Sequence, residues 1–359
     1  MDTEKILVRG VNWLGDAVMT LPALQRLREA RPAARITLLT PQKLAGLWEG
    51  QPMIDNVLTL APGECPWHLR SRLRPEHFDI GVAFPNSFRA ALELWLAGIP
   101  RRFGASHGLR NLLLTDVAPP RAGFVKMRRR SDREVRQAVA NGVPPVTYPA
   151  SAHHIHHYLQ LTSRLGASAV PLPPQWRVTD EQVRQALAKF QLPEAASNRP
   201  YFGLNPGAEY GPAKRWPAER FVEAAQKLQA ARPGRWLIFG GAGDAALAAS
   251  VAADLDAVNL AGKTTLPELA SLLKACQVLL TNDTGPMHLA AAVGVPVVVP
   301  FGSTSPELTG PIFSPDAKVL RKSPPCAPCF RRECPIDLRC LTAIQADDVA
   351  RAALECLPK

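Results

Sequence analysis

Twice along this chain, short runs that are apolar throughout alternate with stretches of helical spacing. KILVR (5–9), ARITLLT (34–40), DNVLTL (55–60) and FDIGVAF (78–84) form the first set of runs. YFGLN (201–205), RWLIFG (235–240), AVNLAG (257–262), CQVLLTN (276–282) and VPVVVPFG (295–302) form the second. A strand that is apolar on both faces has to be covered on both faces. Intervening helices such as GDAVMTLPALQRLREA (15–30) can do this when the strands run parallel. The pattern predicts two doubly wound α/β domains, and a length of 359 residues is itself long for one core. We expect a first domain over 1–170, a Pro-rich semi-rigid linker with one short helix over 171–198, a second domain over 199–342 and a final helix within 343–359. Residues 118–150, rich in proline and cations, read as an irregular insertion.

Ligands of open parallel sheets bind where strands end and lead into helices, so the informative loops are those that follow the strands. In the first, Gly10–Asp16, the glycines allow a tight turn. Asp16 stands at the start of the next helix, either as a cap or as a general base. The second is LNPGAEYGPAKRWP (204–217), in which Lys214 and Arg215 precede a helix. A cation there opposes the helix dipole by about 0.3–1 kcal/mol. A phosphate roughly 4 Å from Lys214 reverses the sign, contributing about 4 kcal/mol at an effective dielectric near 20; a solvated cation pair is the alternative. The third, TNDTGPMH (281–288), offers free N–H groups at a helix start, with Asp283 or Thr284 as caps, Gly285 for close approach and His288 in the first turn. The fourth, GAGDAA (241–246), matches a dinucleotide fingerprint in form, but no acid follows the next strand to hold a ribose.

Cys326, Cys329, Cys334 and Cys340 are spaced C-x2-C-x4-C-x5-C, which reads either as a structural zinc site or as reduced thiols packing a loop. The seven cysteines are an odd number, which argues against a disulfide framework. SAHHIHHYLQL (151–161) lacks the glutamate of a zincin and reads as a polar face lining a cleft or facing water. The net charge is +11, with seven Lys/Arg and two acids between Arg121 and Arg136. This surplus suits an anionic partner, and no nucleic-acid-binding signature accompanies it. No apolar run reaches the roughly 18 residues of a membrane span and no signal pattern opens the chain, so we expect a cytoplasmic protein.

Three segments together resemble glycosyltransferase family 9, the bacterial lipopolysaccharide heptosyltransferases, and most closely its heptosyltransferase II branch. They are ILVRGVNWLGDAVMTLPAL (6–24), PGAEYGPAKRWP (206–217) and TNDTGPMHLAAAVGVPVVVPFGSTSPE (281–307). The resemblance implies a GT-B architecture, two Rossmann-like domains facing across a cleft, with the final helix returning to the first. It implies an inverting transfer of heptose from ADP-heptose to heptosyl-Kdo-lipid A, at the inner face of the inner membrane and with no metal required. Asp16 is then the base, and Lys214 stabilises the leaving diphosphate. The implied donor site is Asn205, Gly207, Lys214, Arg215, Gly241, Asp283, Thr284, Gly285 and His288. The implied acceptor set is Asn12, Trp13, Arg121 and Arg128. Alternatives are heptosyltransferase I or another core-sugar transferase, a nucleotide-sugar epimerase on the same fold, an NAD-linked oxidoreductase resting on GAGDAA, and a non-catalytic anion binder.

Overall fold

The apolar runs become strands, and three further strands join them. The computed structural model describes residues 3–173, 176–194, 199–311 and 314–358. Its first sheet holds β1 (Lys5–Arg9), β2 (Arg35–Pro41), β3 (Asn56–Leu60), β4 (Ile80–Ala83), β5 (Arg101–Ala105) and β6 (Asp116–Ala118) in the order β3-β2-β1-β4-β5-β6. The second holds β7 (Tyr201–Asn205), β8 (Arg235–Ile238), β9 (Ala257–Asn259), β10 (Cys276–Thr281), β11 (Val297–Phe301) and β12 (Lys318–Arg321) in the order β12-β11-β10-β7-β8-β9. All the pairings are parallel. Helices lie between successive strands, so both sheets are doubly wound as the sequence requires. In each sheet the strand order reverses once, between β1 and β4 and between β7 and β10. Loops leaving neighbouring strands diverge at such a point and open a crevice.

The contacts divide the chain into two units, residues 1–124 with 151–176 and residues 125–150 with 177–359. Three expectations change. The final helix, Ala346–Cys356, does not return to the first domain. Its buried Val349, Ala350 and Ala353 share a core with Trp216, Phe221 and Leu228 of the second unit, mainly against helix Ala218–Ala231. Of the segment read as linker, residues 177–189 are docked on the second unit. Helix Asp180–Lys189 buries Ala186 and Leu187 and lies on helix Leu266–Lys274, with Lys189 paired to Glu268 at 2.6 Å and Lys274 donating to the Val178 carbonyl at 2.7 Å.

The insertion is not irregular throughout. It contains helix Asp132–Ala140, opened by a Ser131/Glu134 capping box and anchored by Val135 and Ala138 against Cys326 and Cys329. Its main chain bonds to the same partner segment, Arg130 N–H to Cys329 O at 2.9 Å and Val146 N–H to Ala327 O at 3.3 Å.

Candidate active site

At the β7/β10 reversal two loops are bound to each other by buried amides. Asn205, the last residue of β7, donates to Thr281 Oγ1 at 3.2 Å and to Thr284 Oγ1 at 3.3 Å. Asn282 is fully buried; it donates to Pro206 O at 2.8 Å and accepts from Trp216 N–H at 2.9 Å, so it ties both ends of the 206–217 loop to β10. Gly207 has no room for a side chain, since a Cβ there would lie 2.3 Å from the Asp244 carboxyl carbon. Asp244 in turn accepts from Gly241 N–H at 3.2 Å and pairs with Arg215 at 3.5 Å. The GAGDAA loop thus acts as a backing for the loop at Gly207.

Lys214 is not a free cation. Its Nζ lies 2.6 Å from Asp283 Oδ2 and 4.9 Å from the centre of the Tyr210 ring, and the two charged side chains are 13% and 4% exposed. Thr304 Oγ1 donates to the same carboxylate oxygen. The anion that the sequence asks for beside Lys214 is therefore present within the protein. Neither Asp283 nor Thr284 acts as a side-chain cap. Thr284 occupies the cap position of helix Gly285–Ala292 through its backbone alone, leaving the first turn without a capping side chain, an arrangement suited to an anion. His288 is 3% exposed, and burial pushes its pKa down to about 4, so it is neutral at pH 7. Its Nδ1 has no hydrogen-bond partner.

The cysteine segment buttresses this site. Arg332 O accepts from Ala213 N–H at 2.9 Å, Phe330 O accepts from the Tyr210 hydroxyl at 2.7 Å, and Ser303 O receives the N–H groups of Cys329 and Phe330 at 3.0 and 2.8 Å. Gly211 adopts φ 143° and a Cβ there would meet Arg332 O at 2.6 Å, which restricts the position to glycine. Burial raises the thiol pKa values of Cys326 and Cys329, and that of Cys340 to about 12. Among the described residues no three His, Cys, Asp or Glu side chains are grouped to hold a metal ion.

At the β1/β4 reversal in the first unit lies a cavity of about 220 Å³, lined by Asn12, Trp13, Asp16, Asn86, Arg121, Phe124, His154, His157 and Tyr158 among others. Asp16 is the third residue of helix Leu14–Met19, and Trp13 holds the cap position without a side-chain bond, so the capping alternative for Asp16 does not hold. Tyr158 is largely buried in the cavity wall; burial first, and the nearby Asp16 charge second, hold its hydroxyl well above the usual range. Arg121 donates to the Ser151, Ala152 and His153 carbonyls. Burial, with the positive charge of Arg121 adding to it, lowers the His154 pKa to about 4. Burial also takes His157 to about 4, so the cavity faces two neutral imidazoles at pH 7. The helix begins at Ile155, so His153 and His157 do not share a helical face in the manner of a metal pair.

Three of the four predicted acceptor residues, Asn12, Trp13 and Arg121, gather here around Asp16. Arg128 does not; it belongs to the second unit and is neutralised by Glu134 at 2.6 Å. Asn86, Asn282 and Thr304 were not anticipated. The turn rule for strand ends points at Asn86 in FPNS and at Asn282 in TNDTG, but it does not say which polar side chain faces inward.

Comparison with known proteins fits this geometry. Glycosyltransferase family 9 (heptosyltransferase) matches residues 112–339. The chain is 32% identical over 336 residues to lipopolysaccharide heptosyltransferase 2 of Escherichia coli (strain K12), covering 88% of each. The structure of E. coli ADP-heptose LPS heptosyltransferase II is similar with a TM-score of 0.76 at 30% identity, covering 98% of both chains. A family 9 glycosyl transferase from Veillonella parvula is similar with a TM-score of 0.72 at 26% identity, covering 89% of this chain and 86% of that one.

Proposed function

The chain belongs to glycosyltransferase family 9, and from that premise we propose that it transfers L-glycero-D-manno-heptose from ADP-heptose to the heptosyl-Kdo-lipid A inner core of lipopolysaccharide, with inversion. The observation that carries this reading is the chemistry at the two strand-order reversals. One offers a helix start without a side-chain cap, beside a buried lysine. The other offers a carboxylate in a cavity whose wall mixes apolar and polar side chains.

In this reading the second unit binds the donor. The N–H groups at Thr284 and Gly285 and the Lys214 ammonium face the diphosphate, and Asn205, Gly207, Arg215, Gly241, Asp283 and His288 shape the site around it. An acceptor hydroxyl oxygen forms a bond to the anomeric carbon while the bond from that carbon to the ADP oxygen breaks. The ADP departs with the electron pair, and the hydroxyl proton passes to the Asp16 carboxylate. Charge accumulates on the leaving diphosphate, where preorganised donors act most strongly. Asp16 contributes as general base, and Trp13 offers an exposed aromatic face for a sugar ring.

No helix among the described residues is long and apolar enough to cross a membrane. Contact with the inner-membrane surface is supported by large apolar side chains that the first unit exposes: Phe88 and Trp95 on helix Phe88–Leu96, and Leu109 and Leu112, 75% and 81% exposed, on the short turn Gly108–Leu113 packed against it.

The test is to incubate the purified chain with ADP-heptose and mono-heptosylated Kdo-lipid A and to weigh the product. A mass gain of one heptose together with release of ADP supports the reading. Epimerised sugar nucleotide formed from the donor alone supports an epimerase instead, and an acceptor left unchanged sinks the proposal.

A further inference from the structure

Arg110 presents an imbalance that the fold alone does not resolve. It is 1% exposed, its Nη1 donates to Asn86 Oδ1 at 3.2 Å, and its Nε and Nη2 have no hydrogen-bond partner. A buried guanidinium without a carboxylate is strongly unfavourable. Burial lowers its pKa only to about 10, so it stays charged at pH 7. The fold makes room for it: a Cβ at Gly104 would lie 2.7 Å from Nη2. By contrast, Arg9, the other buried arginine beside this cavity, is compensated by Glu93 at 2.8 Å.

A guanidinium only donates, so each arginine fixes the orientation of the amide it touches. Asn86 turns its carbonyl oxygen to Arg110, and Asn12 turns its own to Arg9, whose Nη1 and Nη2 each lie 3.3 Å away. Both asparagines are exposed and line the Asp16 cavity. Their NH2 groups are thereby left as donors, and the cavity adds the cation Arg121.

We propose that Asn86 and Asn12, oriented by Arg110 and Arg9, form a subsite beside Asp16 that receives an anionic group of the acceptor glycan, a carboxylate or a phosphate. This rests on the acceptor reading of the cavity. Arg110 is a positioning residue: it acts through Asn86, and its uncompensated charge selects for an anion.

The test uses the full chain and three forms of the acceptor glycan: intact, dephosphorylated, and with its carboxylates reduced to alcohols. Binding is measured by calorimetry without donor, and transfer is measured in parallel. Wild type is expected to bind one of the trimmed forms about tenfold or more weakly, which identifies the anion. Arg110→Met binds all three alike, with its ADP affinity unchanged. Asn86→Asp supplies the carboxylate that Arg110 lacks, so its thermal unfolding temperature rises while its affinity for the intact acceptor falls about tenfold or more. Wild type that binds all three forms equally, or Arg110→Met that keeps the wild-type discrimination, overturns the proposal. So does an Asn86→Asp variant that binds intact acceptor normally, and this arm decides the matter should the methionine variant not fold. Wild type that transfers heptose but shows no such discrimination sinks the subsite alone, whereas wild type that neither binds nor modifies any form sinks the transferase reading.

Discussion

Acidification should loosen the second unit through His288. Burial moves its pKa from 6.5 to about 4. Between those values the unfolded chain carries a proton at this site and the folded chain does not, so stability rises with pH through the window and is lost as pH falls. Integrating the difference gives about 3 kcal/mol in full and about 2 kcal/mol between pH 7 and pH 5. The clean comparison is wild type against His288→Gln, which cannot titrate. Amide exchange of β7 and β10, corrected for intrinsic rates, reports the opening free energy of this sheet at each pH. Wild type should lose about 2 kcal/mol more than the glutamine variant on going from pH 7 to pH 5. Equal losses would refute the reasoning, because His288 would then be protonated to the same degree in both states. The same chemistry leaves the imidazole uncharged at pH 7, so under the proposed function it adds no positive charge for a diphosphate.

Asp16→Asn should lower kcat by about 10²–10⁴ with ADP affinity unchanged in calorimetry; a normal rate removes Asp16 as base. Lys214→Met leaves the buried Asp283 carboxylate without its cation, with only the Thr304 hydroxyl still donating to it, and should cost the second unit roughly 3–5 kcal/mol. Adding Asp283→Asn should restore most of that, and urea titration of both variants checks the pair. Gly207→Ala drives a methyl into the Asp244 carboxylate and should destabilise by about 1–3 kcal/mol while weakening ADP binding. An unchanged ADP Kd in that variant would show that the Gly207 loop does not touch the nucleotide.

Strands β1, β2, β4, β7, β8, β10 and β11 were legible because their runs are largely apolar and buried on both faces. β5 begins with two arginines, β6 is three residues long and β12 is partly exposed, so none carried that signal. The loops at the β7/β10 reversal could be found from strand ends alone, and Lys214, Asp283, Thr284 and Gly285 do converge there. What periodicity could not supply was the pairing. That Asp283 faces Lys214 depends on a contact between residues 69 positions apart. The destination of the last helix has the same cause, since its apolar stripe fits either sheet. The helix in the insertion was readable and missed: Ser131 and Glu134 spell a capping box. Arg110 was invisible to sequence because a lone arginine in a turn is ordinarily solvated, and only its burial makes it unusual.

The chain passes from one unit to the other at 124/125, 150/151 and 176/177. Dissection by simple truncation is therefore ruled out. A fragment starting at Arg177 keeps the whole second sheet but lacks helix Asp132–Ala140, and it would uncover Cys326 and Cys329 where Val135 and Ala138 had covered them. Those thiols sit on the stretch that props the Lys214 loop. A half-protein with a complete sheet would thus carry a misfitted Lys214 loop and an oxidisable face, and a usable isolated domain would need residues 125–150 grafted ahead of Arg177.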